Sequence, residues 1–196
     1  MKKIVVFCGS SLGFNPVYKE AAIELGNYFV ANDIALVYGG GKIGMMGVLS
    51  DTILKQGGTV IGIIPELLKK EEVVNPNVTE LIVTKTMSER KVIMSKLVDG
   101  YISLPGGFGT LDELFEGLTL GQLHIEQKPN GLLNVNNFFD CTLKQLDVMV
   151  AEGYLKQDNR DMLLIGTTVS ELMRKMDGYV APEKNHIINK VVKNDN

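Results

Sequence analysis

The chain has 196 residues, 45 % hydrophobic and 22 % charged, with a net charge of −3. That length is most simply one domain with a full hydrophobic core. The acidic balance argues against a general nucleic-acid binder, which is usually basic, and no run of eighteen apolar residues argues for a membrane span. The start, Met1 to Gly9, carries Lys2 and Lys3, but its apolar run is too short for a signal peptide and ends in a glycine turn, so it reads as a first strand. Cys8 and Cys141 stand far apart in no metal-type spacing, which points to a reducing, cytoplasmic setting. Cys8 itself reads as a buried strand residue.

In chain order, candidate strands fall at 4–7, 35–38, 59–64, 81–84, 101–104 and 132–135, with a weaker one at 163–165. Most are continuous apolar runs, as expected of strands covered on both faces. Helical patterns lie between them at 16–31, 45–56, 88–98, 110–123, 139–152 and 170–176. This alternation predicts an α/β fold, a Rossmann-like doubly wound parallel sheet with helices on both faces. We read one domain over residues 1–180 and a frayed C-terminal tail over 181–196.

Ligands of such sheets bind at the carboxyl ends of the strands, and three glycine-bearing loops fall there. They are Gly9–Gly13, Gly39–Gly44 and Pro105–Thr110. Gly39, Gly41 and Gly44 match the dinucleotide fingerprint, but on the second turn rather than the first, and the next strand runs into Ile64-Pro65-Glu66; the loop also fails the P-loop rule. It is either a binding loop or a tight turn that lets helix and strand pack closely. The third loop runs from an apolar strand into a helix. Bare backbone N–H groups at a helix start bind anions such as phosphate, and Glu113 stands one turn further in. That combination suggests chemistry on a phosphorylated small molecule. The plainer reading is that Thr110 and Glu113 form a capping box.

On the helical wheel, Leu111, Leu114, Phe115 and Leu118 form one apolar stripe. Leu120 and Leu123 lie on the opposite side, while Gly117 and Gly121 leave room beside Glu113 for a backbone or a ligand. A helix apolar on two sides is buried on two sides, by the sheet and by a second subunit. Upstream, Ser88 is a candidate N-cap. Arg90 shares a face with Met94 and Leu97. An arginine there is a structural ion-pair partner with Glu113 as a candidate, an arginine whose head reaches out to water, or a recogniser of phosphate or carboxylate.

These residues carry a resemblance. Pro105 to Glu113 match P-G-G-x-G-T-x-x-E, and Met87 to Lys91 match M-x-x-R-K. Phe7–Ser11 match F-C-G-S-S, Tyr38–Gly47 match Y-G-G-G-x-x-G-x-M-G, Ile61–Pro65 match I-G-x-I-P, and Lys128–Asn134 match K-P-x-G-L-L-N. Over residues 2–175 the chain resembles the LOG ("lonely guy") family of phosphoribohydrolases, once widely labelled lysine decarboxylases. The resemblance implies a homodimer that hydrolyses the N-glycosidic bond of adenine-type nucleoside 5′-monophosphates, releasing base and ribose 5-phosphate. It implies Arg90 and Glu113 as the catalytic pair. Gly106, Gly107, Phe108, Gly109, Thr110, Leu111 and Asp112 would hold the nucleotide, with Glu72, Met87, Lys91 and Thr119. Ser10 and the Gly39–Gly41 turn, Gly40 included, would line the pocket. The chain departs from many relatives at Leu120, where tryptophan is usual, and at Glu126, where histidine is usual.

The chemistry suits those residue types. Breaking a C1′–N bond builds positive charge on the ribose, which a carboxylate stabilises, or which attack by a water oriented by that carboxylate resolves. No metal or other cofactor is expected: His124 and His186 are the only histidines and neither stands in a motif. Three rivals remain. A nicotinamide-dependent oxidoreductase would need a second, substrate-binding domain. A non-catalytic carrier of a nucleotide or molybdenum cofactor shares this kind of fold but has no need of the Arg90–Glu113 pair. A lysine decarboxylase needs a Schiff-base lysine, and no lysine stands in a recognisable context for one.

Overall fold

The computed structural model describes residues 1–69 and 74–182. Seven strands, β1 (Lys3–Phe7), β2 (Ala35–Tyr38), β3 (Val60–Pro65), β4 (Glu80–Thr84), β5 (Gly100–Ser103), β6 (Asn130–Leu133) and β7 (Leu163–Gly166), form one sheet in the order β4-β3-β2-β1-β5-β6-β7. Every neighbouring pair is parallel. The helices are α1 (Pro16–Ala31), α2 (Gly44–Leu54), α3 (Glu66–Lys69), α4 (Met87–Leu97), α5 (Phe108–Gln122), α6 (Asp140–Ala151), α7 (Gln157–Arg160) and α8 (Val169–Asp177).

Side chains alternate across the sheet, so each strand feeds two cores. Ile4, Val6, Leu36, Tyr38 and Ile102 point to one face and pack with Leu25 and Phe29 of α1, Leu49 of α2 and Leu172 of α8. Val5, Phe7, Val37, Ile61 and Ile63 point to the other and meet Met94 of α4. Further along that side, Leu132 and Leu163 pack with Leu114 of α5 and Leu146 of α6. The sheet is doubly wound, as its unbroken apolar runs imply.

The chain grows outward from β1 through β2 and β3 to β4, then returns to the far side of β1 with β5. The switch point therefore lies between β1 and β5, and a crevice opens there beyond their carboxyl ends. The loops at that edge are tied together. Gly9 donates its N–H to the Pro105 carbonyl at 3.1 Å, and Met45 donates its N–H to the Gly9 carbonyl at 3.1 Å.

Several boundaries differ from the sequence reading. The sixth strand runs from Asn130 to Leu133 rather than to residue 135, because Asn134 leaves the sheet to cap the next turn. Its Oδ1 accepts the Phe139 N–H at 2.8 Å, and its Nδ2 donates to Asp140 at 2.8 Å. The first helical residue of α4 is Met87, and the cap is Thr86 rather than Ser88. Thr86 Oγ1 accepts the Glu89 N–H at 3.1 Å, while Glu89 accepts the Lys85 N–H at 2.7 Å. A matching arrangement starts α8 from Thr168 and Glu171.

Gly44 joins the first two glycine loops. It has φ +61°, and a Cβ there would overlap the backbone of Ser10 and Ser11. Gly44→Ala therefore meets both a left-handed backbone and a close approach. We expect it to lower unfolding stability by about 1–3 kcal/mol, read as an earlier midpoint in urea; an unchanged midpoint would show that the approach is not tight.

Candidate active site

Arg90 lies in the first turn of α4 and Glu113 in the second turn of α5. Their side chains are only 11 % and 12 % exposed, and Arg90 Nη1 stands 3.1 Å from Glu113 Oε1. Arg90 also donates from Nε to the Ile63 carbonyl of β3 at 3.0 Å. Two helices and β3, one strand in from the sheet edge, thus hold one guanidinium. Burial raises the Glu113 carboxyl above the ordinary carboxylate value, with Arg90 and Lys91 opposing that rise. The Cys8 thiol is raised as well, by burial first and then by the Glu113 charge. Cys8 sits just past β1 on the cavity wall rather than inside the strand.

The pair closes one side of a cavity of about 520 Å³ at the switch point. Cys8, Gly9 and Ser10 line it after β1, Gly39 and Gly41 after β2, and Gly107 to Thr110 at the start of α5. Its remaining wall is apolar: Ile43, Met46, Ile64 and Leu68. The volume suits a small ligand. The N-terminus of α5, a helix of 15 residues capped by Gly107, faces the cavity with no side-chain cap. Its free N–H groups and dipole end favour an anion.

The helix begins at Phe108, so Thr110 is its third residue and not its cap. The capping-box reading of Thr110 and Glu113 is thereby corrected. Thr110 is buried, and Gly106 must lack a Cβ because one would overlap the Thr110 side chain. A Cβ at Gly117 would meet Asn130 and one at Gly121 would meet Met162, while Gly117 lines a cavity between α4 and α5 together with Glu113.

Of the residues singled out from sequence, the cavity gathers Ser10, Arg90, Gly107, Phe108, Gly109, Thr110 and Glu113. Others stand elsewhere. Gly40 turns its backbone toward Gly62 and Ile64, with φ +78°. Met87 is half-exposed at the start of α4, and Leu111, on α5, packs against the core around Leu132 and Leu163. Lys91 pairs with Asp112 at 2.7 Å and Glu116 at 2.6 Å. Those two carboxylates hold its pKa above the ordinary value although burial opposes them. Thr119 is exposed and donates its hydroxyl to the Phe115 carbonyl. Glu72 lies outside the described residues, as does His186. His124 ends α5 with φ +54° and does not line the cavity. Among the described residues, no group of three or more His, Cys, Asp or Glu could hold a metal ion, and no helix is long and apolar enough to cross a membrane.

Sequence reasoning passed over the apolar wall, because Ile43, Met46 and Ile64 look like ordinary core residues until the loops fold together. It also passed over the Ile63 carbonyl, since a backbone acceptor leaves no mark in a side-chain pattern. Leu120 and Glu126, the two departures, both line a second cavity of about 280 Å³ between α4 and α5. Glu126 accepts the hydroxyls of Ser95 and Tyr101 and pairs with Lys128 at 3.4 Å. Burial pushes its carboxyl up, but these partners outweigh that, and the net shift is downward.

An anion-ready helix start, a buried carboxylate and a switch-point crevice define a Rossmann-like α/β protein built to act on a small anionic ligand. The family described as "possible lysine decarboxylase" matches residues 46–176. A probable cytokinin riboside 5′-monophosphate phosphoribohydrolase, LOGL1 of Oryza sativa subsp. japonica, is 44 % identical over 177 residues, covering 90 % of this chain and 79 % of the rice protein. The cytokinin riboside 5′-monophosphate phosphoribohydrolase LOG1 of Arabidopsis thaliana is 44 % identical over 179 residues, covering 91 % and 84 %. The chain belongs to this LOG family. Among solved structures, the molybdenum cofactor binding protein of Rippkaea orientalis superposes with a TM-score of 0.68 at 23 % identity, covering 91 % of this chain and 97 % of that one. That likeness shows the shared fold alone.

The ion pair makes a pH-dependent stability prediction. The folded Glu113 value is raised, so its contribution to stability is full below the unfolded carboxylate value of about 4.3 and is lost as pH rises through the folded value. Removing Arg90 takes away the main opposing charge and widens that window. Arg90→Ala should cost about 3 kcal/mol at neutral pH and clearly less near the unfolded carboxylate value. Urea unfolding at the two pH values checks this; an equal cost at both would contradict the coupling.

Proposed function

We propose that this chain hydrolyses the N-glycosidic bond of adenine-type nucleoside 5′-monophosphates, cytokinin ribosides or AMP, to free base and ribose 5-phosphate. The observation that carries this reading is the buried Arg90–Glu113 pair on the wall of a cavity whose other side is the open N-terminus of α5. The rice and Arabidopsis relatives, named as cytokinin riboside 5′-monophosphate phosphoribohydrolases, support the reaction class.

In this reading the 5′-phosphate sits on the N–H groups of Gly107 to Thr110, with Ser10 and the Gly39–Gly41 turn completing the wall. Met87, Lys91, Asp112 and Thr119 then act from the margins, and Glu72 is the further substrate-binding residue that the family resemblance implies. Anchoring the phosphate spends remote binding energy on orienting C1′. Glu113 faces the ribose, held in place by Arg90. Water adds to C1′ as the C1′–N bond breaks; Glu113 takes one proton from that water, the leaving base nitrogen takes up a proton from solvent, and Glu113 then returns its proton to solvent. One water is consumed and no redox change occurs. The raised carboxyl makes Glu113 a stronger proton acceptor than an ordinary carboxylate. A decarboxylase reading needs a Schiff-base lysine, and among the described residues that line the cavity none is a lysine.

We also infer a homodimer that uses the α4–α5 face. Val92, Leu123 and Ile125 are 51 %, 54 % and 65 % exposed there, an apolar surface suited to a second copy. The two free cysteines fit a cytoplasmic setting.

Incubation with AMP or isopentenyl-AMP should yield free base and ribose 5-phosphate by chromatography, while the unphosphorylated nucleosides react at least tenfold more slowly. Glu113→Gln should lose about 10³-fold or more in kcat with the fold intact, as loss of a central charge-stabilising or proton-accepting group does. The acid limb of kcat/KM should lie above the ordinary carboxylate value of about 4.3. Intact nucleotide after long incubation would end the proposal.

A further inference from the structure

We propose that Gly39 is a positioning residue: the Cβ it lacks, at the end of β2, is the space that seats the Arg90 guanidinium against Glu113. This rests on Arg90 and Glu113 being the working pair.

A Cβ built on Gly39 would stand 2.9 Å from Arg90 Nη2 and 3.1 Å from Met46 Sδ. Gly39 is not among the glycines with positive φ, whereas its neighbour Gly40 is, at φ +78°. The backbone at position 39 therefore does not itself call for glycine. What calls for it is space, and the occupant of that space is the guanidinium.

The loop cannot retreat to make room. Behind it, the Gly40 carbonyl accepts the Asn75 N–H at 2.8 Å, and Gly41 forms a β-bridge with Val74. Asn75 is 2 % exposed and donates from Nδ2 to Ser50 Oγ at 3.1 Å. Beneath it, a Cβ on Gly62 would lie 3.0 Å from Gly40 Cα, so the two backbones are already close. The atoms free to yield are the ends of two flexible side chains, Met46 and Arg90. Arg90 is tethered at Nε to the Ile63 carbonyl and at Nη1 to Glu113. A methyl group at position 39 therefore pushes the guanidinium off its seat while costing the fold little. Moving it exposes Glu113 to the balance of its other neighbours. These are Lys91 from α4, Asp112 on its own helix, and the Cys8 thiol after β1. With the nearest cation displaced, the carboxyl holds its proton to higher pH.

The test compares wild type, Gly39→Ala, Arg90→Lys and the double variant. The Glu113 side-chain carboxyl is titrated by ¹³C NMR in ligand-free protein, and kcat and KM are measured with AMP. The inference expects Gly39→Ala to keep a near-normal urea midpoint, to titrate Glu113 at higher pH, and to lose about 100-fold in kcat, the scale of a 1 Å misplacement, with KM little changed. In the Arg90→Lys background the same methyl should cost little more, because the group it displaces is gone. An unmoved Glu113 titration, a rise in KM alone or strictly additive losses would overturn it. So would failure of Gly39→Ala to fold, since the strain would then be relieved in the loop and not at Arg90. If the wild type left nucleotides intact, the proposed hydrolysis would fall, while the NMR titration would still decide the role of Gly39.

Discussion

A carboxylate taken out of water needs a cation or a proton, and in this chain that need organises the site. Desolvation costs several kcal/mol per ion, recovered only with good geometry and further hydrogen bonds. Glu113 meets Arg90 at 3.1 Å, and Arg90 in turn meets the Ile63 carbonyl. That arrangement requires α4 and α5, which follow strands on opposite sides of β1, to converge. The crossover from β4 at the sheet edge back to β5 provides it, because α4 must lie across the strands between them. The winding of the sheet and the pairing of the charges are thus one constraint.

The same convergence assembles everything else in the cavity. The loops after β1 and β5 are neighbours because the strands are neighbours, and the Gly9–Pro105 hydrogen bond locks them together. Gly44 and Gly106 let the backbones close up where any side chain would intrude. The result sets a helix start that favours negative charge beside a carboxyl group whose pKa burial has raised. Arg90 offsets the Glu113 charge beside that helix start, and in the inference drawn above the missing Cβ of Gly39 leaves room for its guanidinium.

Much of this was readable from the chain. Continuous apolar runs at Ile4–Phe7 and Ala35–Tyr38 can only be strands covered on both faces, and α1 follows its pattern from Pro16 to Ala31. The motifs around Arg90 and Glu113 placed both residues correctly at the carboxyl edge. What misled was local chemistry with two outcomes. Thr-x-x-Glu occurs at Thr86, Thr110 and Thr168; the first and last are caps, whereas Gly107 starts α5 early and frees Glu113 for Arg90. Side-chain pattern cannot rank those outcomes, because the deciding partner comes from another helix. The short helices α3 and α7, with four residues each, carry no periodicity to detect. Gly117 and Gly121 read as room for a backbone or a ligand; the missing Cβ atoms also admit Asn130 and Met162, which no local pattern shows. Glu72, named from the family resemblance, lies outside the described residues.

The central claim is spatial: a phosphate held at the start of α5 brings the sugar–base bond to Glu113. A crystal structure of the Glu113→Gln protein with AMP tests it most directly. The account requires the phosphate on the Gly107–Thr110 amides and C1′ within about 4 Å of the residue 113 side chain, the range of a contact able to pass through one water. A nucleotide bound in the reverse sense, with its phosphate elsewhere and its ribose remote from that side chain, would contradict it.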